Sequence, residues 1–268
     1  MNPVEIKEGS CPIILAMPHS GTWLPQEIFA GLNEIGQKLR DTDWHIDRLY
    51  DGLLPEASIV KANFHRYVID ANRDPEGVSL YPGQNTTTLC PTIDFDGAPI
   101  WHAGKEPDMA QVKHRTEQFH APYHKALRQM IEVTKAKYGF AILYDCHSIR
   151  FEAPFLFEGV LPVLNIGTND SKSCSSEIEK LVTEACADSS FSQVLNGRFK
   201  GGWTTRYYGN PSVDVHAIQM ELTQAAYMQE TDPWAYLPER AETLRQTLQT
   251  LLLNLRNFDY VSNHEASA

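Results

Sequence analysis

Short apolar runs alternate along this chain with longer amphipathic stretches. Five runs have the length and composition of buried strands, at residues 12–17, 57–62, 139–145, 161–166 and 215–222. Stretches with helical spacing lie between and after them, at residues 26–39, 44–54, 109–136, 175–188 and 235–256. Strands that alternate with helices indicate βαβ units. The sequence therefore predicts an α/β fold in which helices cover both faces of a largely parallel sheet.

The chain has the length of one large α/β domain. With 268 residues, it can bury about three quarters of the surface that its unfolded form exposes. No linker or internal repeat divides the sequence, so we expect a single domain over residues 1–268. Pro122 predicts that the stretch 109–136 breaks into two helices, the second beginning near the proline. The Pro- and Gly-rich residues 74–107 lack a period, and such segments are usually functional or mobile.

Charge and composition restrict the partners of the chain. The net charge is −11, from 23 basic and 34 acidic residues, which disfavours nucleic acid and requires local arginines for any anionic substrate. There is no apolar run of membrane-spanning length and no secretory signal. Five cysteines without CxxC spacing fit a reducing compartment. We expect a cytoplasmic protein with no nucleic-acid or membrane partner; the sequence does not specify its oligomeric state.

Three predicted strands end in polar side chains that can bind a metal ion. His19 follows the first apolar run, His147 follows the third, and Glu221 ends the last. Ligands of open α/β sheets bind beyond the carboxyl ends of the strands. Two histidines and a carboxylate there are what a catalytic metal site requires. The alternative for each histidine is a capping or packing role.

A further metal ligand is expected from the acidic segment DTDWHID. Asp41, Asp43, His45 and Asp47 are its candidates. The same residues are also typical of a helix N-terminus, where carboxylates cap free N–H groups and suit the helix dipole. The two interpretations are compatible, because one carboxylate can face a metal while another caps the helix.

Arginines cluster at two places that could bind an anion. Arg66, Asn72 and Arg73 follow the second apolar run, and the planar guanidinium matches a carboxylate in a bidentate way. The alternative is a turn with a surface ion pair between Asp70 and Arg73. Arg206 closes a glycine-rich segment that could approach a ligand closely, although its charges could equally belong to a solvated loop.

Other reactive side chains are given structural roles. His120 and His124 have the spacing of a helical metal pair, but no glutamate completes an HExxH motif. We expect them on a helix surface. Cys146 adjoins His147, and successive strand side chains point to opposite faces. Cys146 is therefore interpreted as a thiol of the core.

Long blocks around these residues resemble the N-formylglutamate amidohydrolase family, which acts in histidine breakdown. The blocks occur in collinear order over nearly the whole chain. They are MPHSGTWLP at 17–25, DTDWHIDRLYD at 41–51, RYVIDANRDP at 66–75, LYPGQNTTTLCP at 80–91, APYHKAL at 121–127, DCHSIR at 145–150, LNIGTND at 164–170, NGRFKGGWTTRYYG at 196–209 and IQMELTQAAYM at 218–228.

The resemblance implies a zinc-dependent amidohydrolase with one divalent metal ion. It also implies a three-layer α/β/α fold with a mixed, mostly parallel sheet, the phosphorylase/hydrolase-like fold of zinc carboxypeptidases and aspartoacylase. These wider relatives bind zinc through an H-x-x-E pair and a later histidine. His19 and His147 match the histidines, but Thr22 stands where the glutamate would be. We therefore expect Asp43 as the remaining ligand, with His45 as the alternative.

The resemblance also implies roles for the other candidates. Glu221 matches the general base, and Arg66 matches the arginine that polarises the scissile carbonyl. Asn72 and Arg73 match a pair that holds a substrate carboxylate, and Arg206 is the candidate for a second carboxylate. The implied reaction is hydrolysis of the anion N-formyl-L-glutamate to L-glutamate and formate. The alternatives are a zinc hydrolase of another N-acyl amino acid or peptide C-terminus, and a non-catalytic domain that binds a metal or an amino acid.

Overall fold

The computed structural model describes residues 2–80 and 83–259, so the sequence block 80–91 is described only in part. Within these ranges the chain forms seven strands. They are β1 Val4–Lys7, β2 Ile13–Met17, β3 Ser58–Ala62, β4 Ala141–Ile149, β5 Leu164–Gly167, β6 Gln193–Leu195 and β7 Val215–Thr223. The α-helices are α1 Gln26–Gly31, α2 Ile46–Tyr50, α3 Met109–Arg115, α4 Ala121–Tyr138, α5 Ser176–Ala187, α6 Trp203–Tyr208 and α7 Pro238–Arg256. None of the helices in the described ranges combines the length and hydropathy needed to cross a membrane.

One mixed sheet contains all seven of these strands. Their order is β1-β3-β2-β4-β7-β5-β6. The central strands β3, β2, β4 and β7 are parallel, whereas β1 and β5 pair antiparallel to their neighbours β3 and β7. The predicted mixed, mostly parallel sheet is confirmed. Strands β1 and β6 were not predicted, because β1 is mostly exposed and β6 has only three half-buried residues.

Helices cover both faces of the sheet. On β4 and β7, even-numbered side chains such as Tyr144 and Met220 enter a core that α2, α5 and α7 complete. Odd-numbered side chains near the start of the strands, such as Leu143 and Ala217, enter a second core that α4 covers. The sheet is therefore the middle layer of an α/β/α arrangement, as predicted.

Two helical predictions need correction. The second α-helix begins beside Pro122, but a π-helical turn over Thr116–His120 joins it to α3, so the chain stays helical instead of breaking. The predicted helix 26–39 is shorter, ending at Gly31 before a separate 3₁₀ turn. The side chain of Asn33 accepts hydrogen bonds from the backbone N–H groups of Ile35 and Gly36. That local bonding competes with a continuous helix.

Candidate functional site

Three buried side chains that could ligate one cation meet at the carboxyl edge of the central strands. The Nδ1 atoms of His19 and His147 lie 3.2 Å apart. Asp43 Oδ2 lies 3.1 Å from Nδ1 of His147 and 3.7 Å from Nδ1 of His19. The candidate ligand atoms all lie within 4.8 Å of one another. Two imidazole nitrogens and a carboxylate oxygen are a donor set that zinc commonly takes.

The sheet and one loop bring these residues together. Strands β2 and β4 are parallel neighbours, so His19, just beyond β2, lies near the end of β4. That strand extends to Ile149, so His147 lies within it and not after it as predicted. The loop before α2 is joined to this edge because the backbone N–H of Asp43 donates to His19 O (3.1 Å). The side chain of Asp43 in turn accepts from the N–H of Ser148 (3.1 Å).

Two further carboxylates lie beside the histidine rings. Asp70 Oδ1 lies 2.6 Å from His19 Nε2, and Asp145 Oδ1 lies 3.1 Å from His147 Nε2. Both carboxylates are fully buried. The hydrogen bond to Asp70 fixes the ring of His19 and directs its other nitrogen, Nδ1, towards a ligand. Asp145 lies at ion-pair distance from His147, whose Nε2 atom has its hydrogen-bond contact with the amide of Asn72. Asp70 also forms the expected pair with Arg73 (Oδ2 to Nη1, 3.7 Å), but its carboxylate is buried, so the surface location of that pair is wrong.

The structure brings Asp43, and not His45, to the two histidines. His45 immediately precedes α2 and has a left-handed backbone (φ 61°). Its Nε2 atom lies 2.6 Å from the backbone oxygen of Trp234. The ring is therefore held by the segment that precedes α7, away from the group formed by Asp43 and the two histidines.

The charges of the site favour a bound cation. Asp43, Asp70, Asp145 and Glu221 are all buried around the two histidines, and Arg66 donates to Asp43 Oδ1 (3.2 Å). Burial alone raises the pKa of Asp43, but the charge of Arg66 and the hydrogen bonds from the histidines more than offset that effect. The pKa therefore lies below its usual value, and Asp43 is an anion at neutral pH. A divalent cation would balance the excess of buried negative charge, so the residues fit a metal ion.

Glu221 lies next to His147 across the sheet. The two residues are register partners in the parallel pair β4–β7. Glu221 accepts a hydrogen bond from Gln219 Nε2 to its Oε2 atom (2.9 Å). Burial raises the pKa of Glu221 to about 7, and the negative charges of Asp43 and Asp145 act in the same direction. A carboxylate with a pKa near neutrality can accept and return a proton at neutral pH.

A cleft with an empty volume of about 580 Å³ opens over this group. His19, His147 and Glu221 line the cleft, together with the guanidinium groups of Arg66 and Arg73. Its other lining residues are Asn72, Asn85, Thr86, Thr87, Phe95, Ser148, Ile149, Leu156, Arg198, Phe199, Gly202 and Gln219. Three arginines thus supply positive charge locally in an acidic chain, as an anionic ligand requires.

Of the two arginines in the segment 196–206, it is Arg198 that lines the cleft. Its Nε donates to Leu156 O (3.0 Å), and its Nη2 donates to Asn85 O (3.3 Å). Arg206 is not among the residues that line the cleft, and its Nε donates to Gly201 O (2.8 Å). The structure therefore does not bring Arg206 to the other candidates. No signal in the sequence distinguishes Arg198 from Arg206, because both arginines lie in the same glycine-rich segment.

Asn72 and Arg73 lie in the cleft and are held by several contacts. Asn72 Oδ1 accepts from the N–H of Thr204 (2.8 Å), and its Nδ2 lies 3.1 Å from His147 Nε2. Arg73 donates from Nε to Thr87 O (3.0 Å) and from Nη1 to Asn72 O (3.1 Å). These bonds fix the plane of the Arg73 guanidinium at the wall of the cleft.

The placement of His120 and His124 on a helix surface is wrong. Both are buried, and both contact backbone carbonyls on either side of Asn72. His120 Nε2 lies 3.0 Å from Arg73 O, and His124 Nε2 lies 2.7 Å from Ala71 O. The two histidines therefore hold the backbone on both sides of Asn72. Cys146, by contrast, is buried in the core as predicted.

Fold and cleft together define a class of protein. It is an α/β protein with an open mixed sheet, a small-molecule cleft at the carboxyl ends of the central strands, and a candidate metal group at the base of that cleft. The family model for N-formylglutamate amidohydrolase matches residues 11–228. The chain belongs to the N-formylglutamate amidohydrolase family, which confirms the resemblance seen in the sequence.

Individual relatives agree with this assignment. The chain is 42% identical over 251 residues to an N-formylglutamate deformylase of Pseudomonas putida, covering 91% of this chain and 94% of the relative. It is 42% identical over 255 residues to the enzyme of that name from Pseudomonas aeruginosa, covering 94% and 95%. The crystal structure of N-formylglutamate amidohydrolase from Ralstonia eutropha JMP134 superposes with a TM-score of 0.79 at 25% identity, covering 96% and 97%. A protein from Agrobacterium tumefaciens shares the fold, with a TM-score of 0.73 at 17% identity over 95% of each chain.

Proposed function

We propose that this chain hydrolyses N-formyl-L-glutamate to L-glutamate and formate, as the last step of a histidine degradation route. The identity of 42% to two N-formylglutamate deformylases, over more than nine tenths of each chain, supports this activity. The observation that carries the proposal is the pairing of His147 with Glu221 in a cleft lined by three arginines. It supports a site in which a proton acceptor, a metal ion and anion-binding side chains would act around one cleft.

His19, Asp43 and His147 would hold one divalent metal ion, with zinc the expected metal. When bound, such an ion polarises a carbonyl group and lowers the pKa of a coordinated water molecule to about 7. Glu221 would accept the proton of the attacking water and deliver it to the departing nitrogen of glutamate. Arg66 would stabilise the negative charge that develops on the formyl oxygen, and one such contact is typically worth ~3 kcal/mol.

The two carboxylates of the substrate would bind to arginines on the wall of the cleft. Arg73, whose plane is fixed by its bonds to Thr87 and Asn72, would bind one carboxylate together with Asn72. We assign the second carboxylate to Arg198 in place of Arg206, since Arg198 lines the cleft and Arg206 does not. A substrate with two carboxylates then makes use of both positive side chains.

The remaining predictions about the chain are part of the same proposal. A single domain over residues 1–268 is supported by the one sheet whose strands span Val4 to Thr223, and by α7, which packs into the same core. A cytoplasmic location is supported by the five cysteines, which are buried and free, because structural disulfides are rare in reducing compartments.

Formate release coupled to metal analysis tests the proposed function. The purified protein is assayed with N-formyl-L-glutamate, N-acetyl-L-glutamate, N-formyl-L-aspartate and a peptide, and its metal content is measured in parallel. We expect one divalent ion per chain and the highest kcat/KM for N-formyl-L-glutamate. A higher value for another acyl group or for a peptide C-terminus would make the chain a different N-acyl hydrolase. Tight binding of N-formyl-L-glutamate without formate release would make it a binding domain.

A further inference from the structure

Four polar side chains form a two-by-two array on the cleft side of the sheet. In the parallel pair β4–β7, Asp145 is the register partner of Gln219, and His147 is the partner of Glu221. Residues two apart on a strand point to the same face, so each strand presents two of the four groups. On β4, Asp145 contacts His147 (3.1 Å), and on β7, Gln219 contacts Glu221 (2.9 Å).

The amide of Gln219 has only one orientation that satisfies its neighbours. Its Oε1 atom accepts from the backbone N–H of Gly202 at 2.6 Å. A backbone N–H can only donate, so the amide oxygen must face Gly202 and the amide nitrogen must face Glu221. Gln219 lines the cleft but is only 4% exposed, and protein atoms occupy both ends of its amide. The side chain therefore presents a fixed N–H donor to Glu221 Oε2.

Gly202 can make this contact because it has no side chain. A Cβ atom at this position would lie 2.3 Å from Asn72 Nδ2, a distance that no packed side chain tolerates. The absence of a side chain lets the loop that carries Arg198 approach both Asn72 and Gln219. The backbone of this loop and the carboxylate of Glu221 are thus connected through one buried amide.

We propose that Gln219 is a positioning residue, which holds the carboxylate of Glu221 in the orientation that accepts the proton of the attacking water. The inference rests on the proposed role of Glu221 as the general base. The donor on Oε2 restricts rotation of the carboxylate, so Oε1 is the oxygen that exchanges the proton. Gln219 touches neither the reacting water nor the metal group in this scheme, and it acts through Glu221 alone.

Two substitutions separate this role from a packing role. Gln219→Met keeps the size of the side chain and removes the donor. Gln219→Glu keeps an oxygen that can accept from Gly202 but places an oxygen against Glu221. Because hydrogen bonds to charged groups are the stronger ones, we expect each variant to lower kcat by about 10- to 100-fold with little change in KM. Metal content and melting temperature are measured for each variant, and kcat is expressed per folded, metal-loaded molecule.

A double-mutant comparison makes the assignment specific. If Gln219 acts through Glu221, then Gln219→Met in a Glu221→Gln background should lower kcat by less than about twofold, because the orientation it sets no longer matters. Equal losses in both backgrounds, or a normal kcat in both single variants at Gln219, would overturn the positioning role. A Gln219→Glu variant with normal kcat beside an impaired Gln219→Met would also overturn it, since the Gly202 contact would then suffice. Normal turnover in Glu221→Gln alone would refute the role of Glu221 as the general base, and the positioning role of Gln219 with it, but would leave the proposed hydrolysis standing; absence of formate release in the wild type would refute the hydrolysis.

Discussion

Asp70 contacts His19 at the shortest distance that any carboxylate makes to a ring nitrogen in the described part of the site, 2.6 Å from Oδ1 to Nε2. Asp70 lies in the turn after β3, and His19 lies in the turn after β2. Because β2 and β3 are parallel neighbours, both turns emerge at the same edge of the sheet. The contact leaves Nδ1 of His19 directed towards Asp43 and His147.

This contact predicts that Asp70→Asn weakens metal binding without abolishing it. The amide can still accept from Nε2, but the negative charge that makes the ring a better ligand is lost. Loss of such a partner typically costs about 10- to 100-fold in metal affinity. Competition with a chelator of known affinity measures the change. Asp47→Asn is a matched control, because Asp47 is exposed and contacts Lys61 and the backbone N–H of Arg48, away from the histidines; an equal loss in both variants would contradict the orienting role.

The proposed ligands predict a clear pattern of metal content. His19→Ala, His147→Ala and Asp43→Ala should each lose the ion, since three protein ligands are the minimum of an ordinary catalytic zinc site. His45→Ala should retain it, because the ring of His45 is bonded to Trp234 O. Elemental analysis of the folded protein gives the result. Stoichiometric metal in either histidine variant would refute the site, and the reverse pattern for Asp43 and His45 would make His45 the ligand.

Parallel topology explains why the candidate site could be predicted from the ends of the strands. His19, His147 and Glu221 were predicted from apolar runs that end in polar residues, and parallel strands bring such ends to one edge. The acidic segment before α2 was also identified, but only the fold shows which residue faces the histidines. His45 has a left-handed backbone, and its side chain contacts Trp234 instead of the two histidines. The hydrophobic periodicity of a sequence does not reveal such a backbone conformation.

The residues that support the site could not be predicted from the sequence. Asp145 and Gln219 lie inside strands, two residues before His147 and Glu221, and become visible only once the alternation of the strand is known. His124 lies on a helix and contacts the backbone of Ala71, across 53 residues of chain. Contacts between distant segments leave no periodic signal in either segment.

The proposed roles of the cleft arginines predict that replacing Arg73 or Arg198 weakens the use of N-formyl-L-glutamate. Arg73→Lys keeps the charge but loses the planar fork, so KM for N-formyl-L-glutamate should rise. Arg198→Met should lower kcat/KM by about 10- to 100-fold, the cost of a lost charged hydrogen bond. Arg206→Met is the matched control from the same segment and should leave both constants unchanged. An unchanged KM in Arg73→Lys, or a larger effect at Arg206 than at Arg198, would contradict the assignment.

His124 predicts a loss of stability in acid. Burial lowers the pKa of His124 to about 3 from 6.5, and the nearby His120 acts in the same direction. The ring is neutral when folded and takes up a proton when unfolded, so its contribution to stability is present above pH 6.5 and is lost as the pH falls below that value. At pH 5 the loss amounts to about 2 kcal/mol at most. Urea unfolding at pH 7 and pH 5 should show a smaller pH effect in His124→Gln than in the wild type; equal effects would refute this prediction.

Glu221 carries the central prediction about catalysis. Glu221→Gln preserves the size of the side chain and removes its ability to accept a proton. Because Glu221 is not a proposed ligand, the metal should remain bound. Turnover should fall by about 10²- to 10⁴-fold, the range for loss of general acid–base help, and KM should change less than kcat.

The pH dependence of the same variant separates a base from a structural carboxylate. Burial raises the pKa of Glu221 to about 7, so a base at this position is protonated and inactive at lower pH. The wild-type kcat/KM should therefore decline on the acid side, and this decline should be absent in Glu221→Gln. A carboxylate that serves only the fold, by accepting from Gln219 in the strand, predicts instead a lower melting temperature with normal turnover. Activity per folded, metal-loaded molecule decides between the two roles, and a value near that of the wild type would exclude Glu221 as the base.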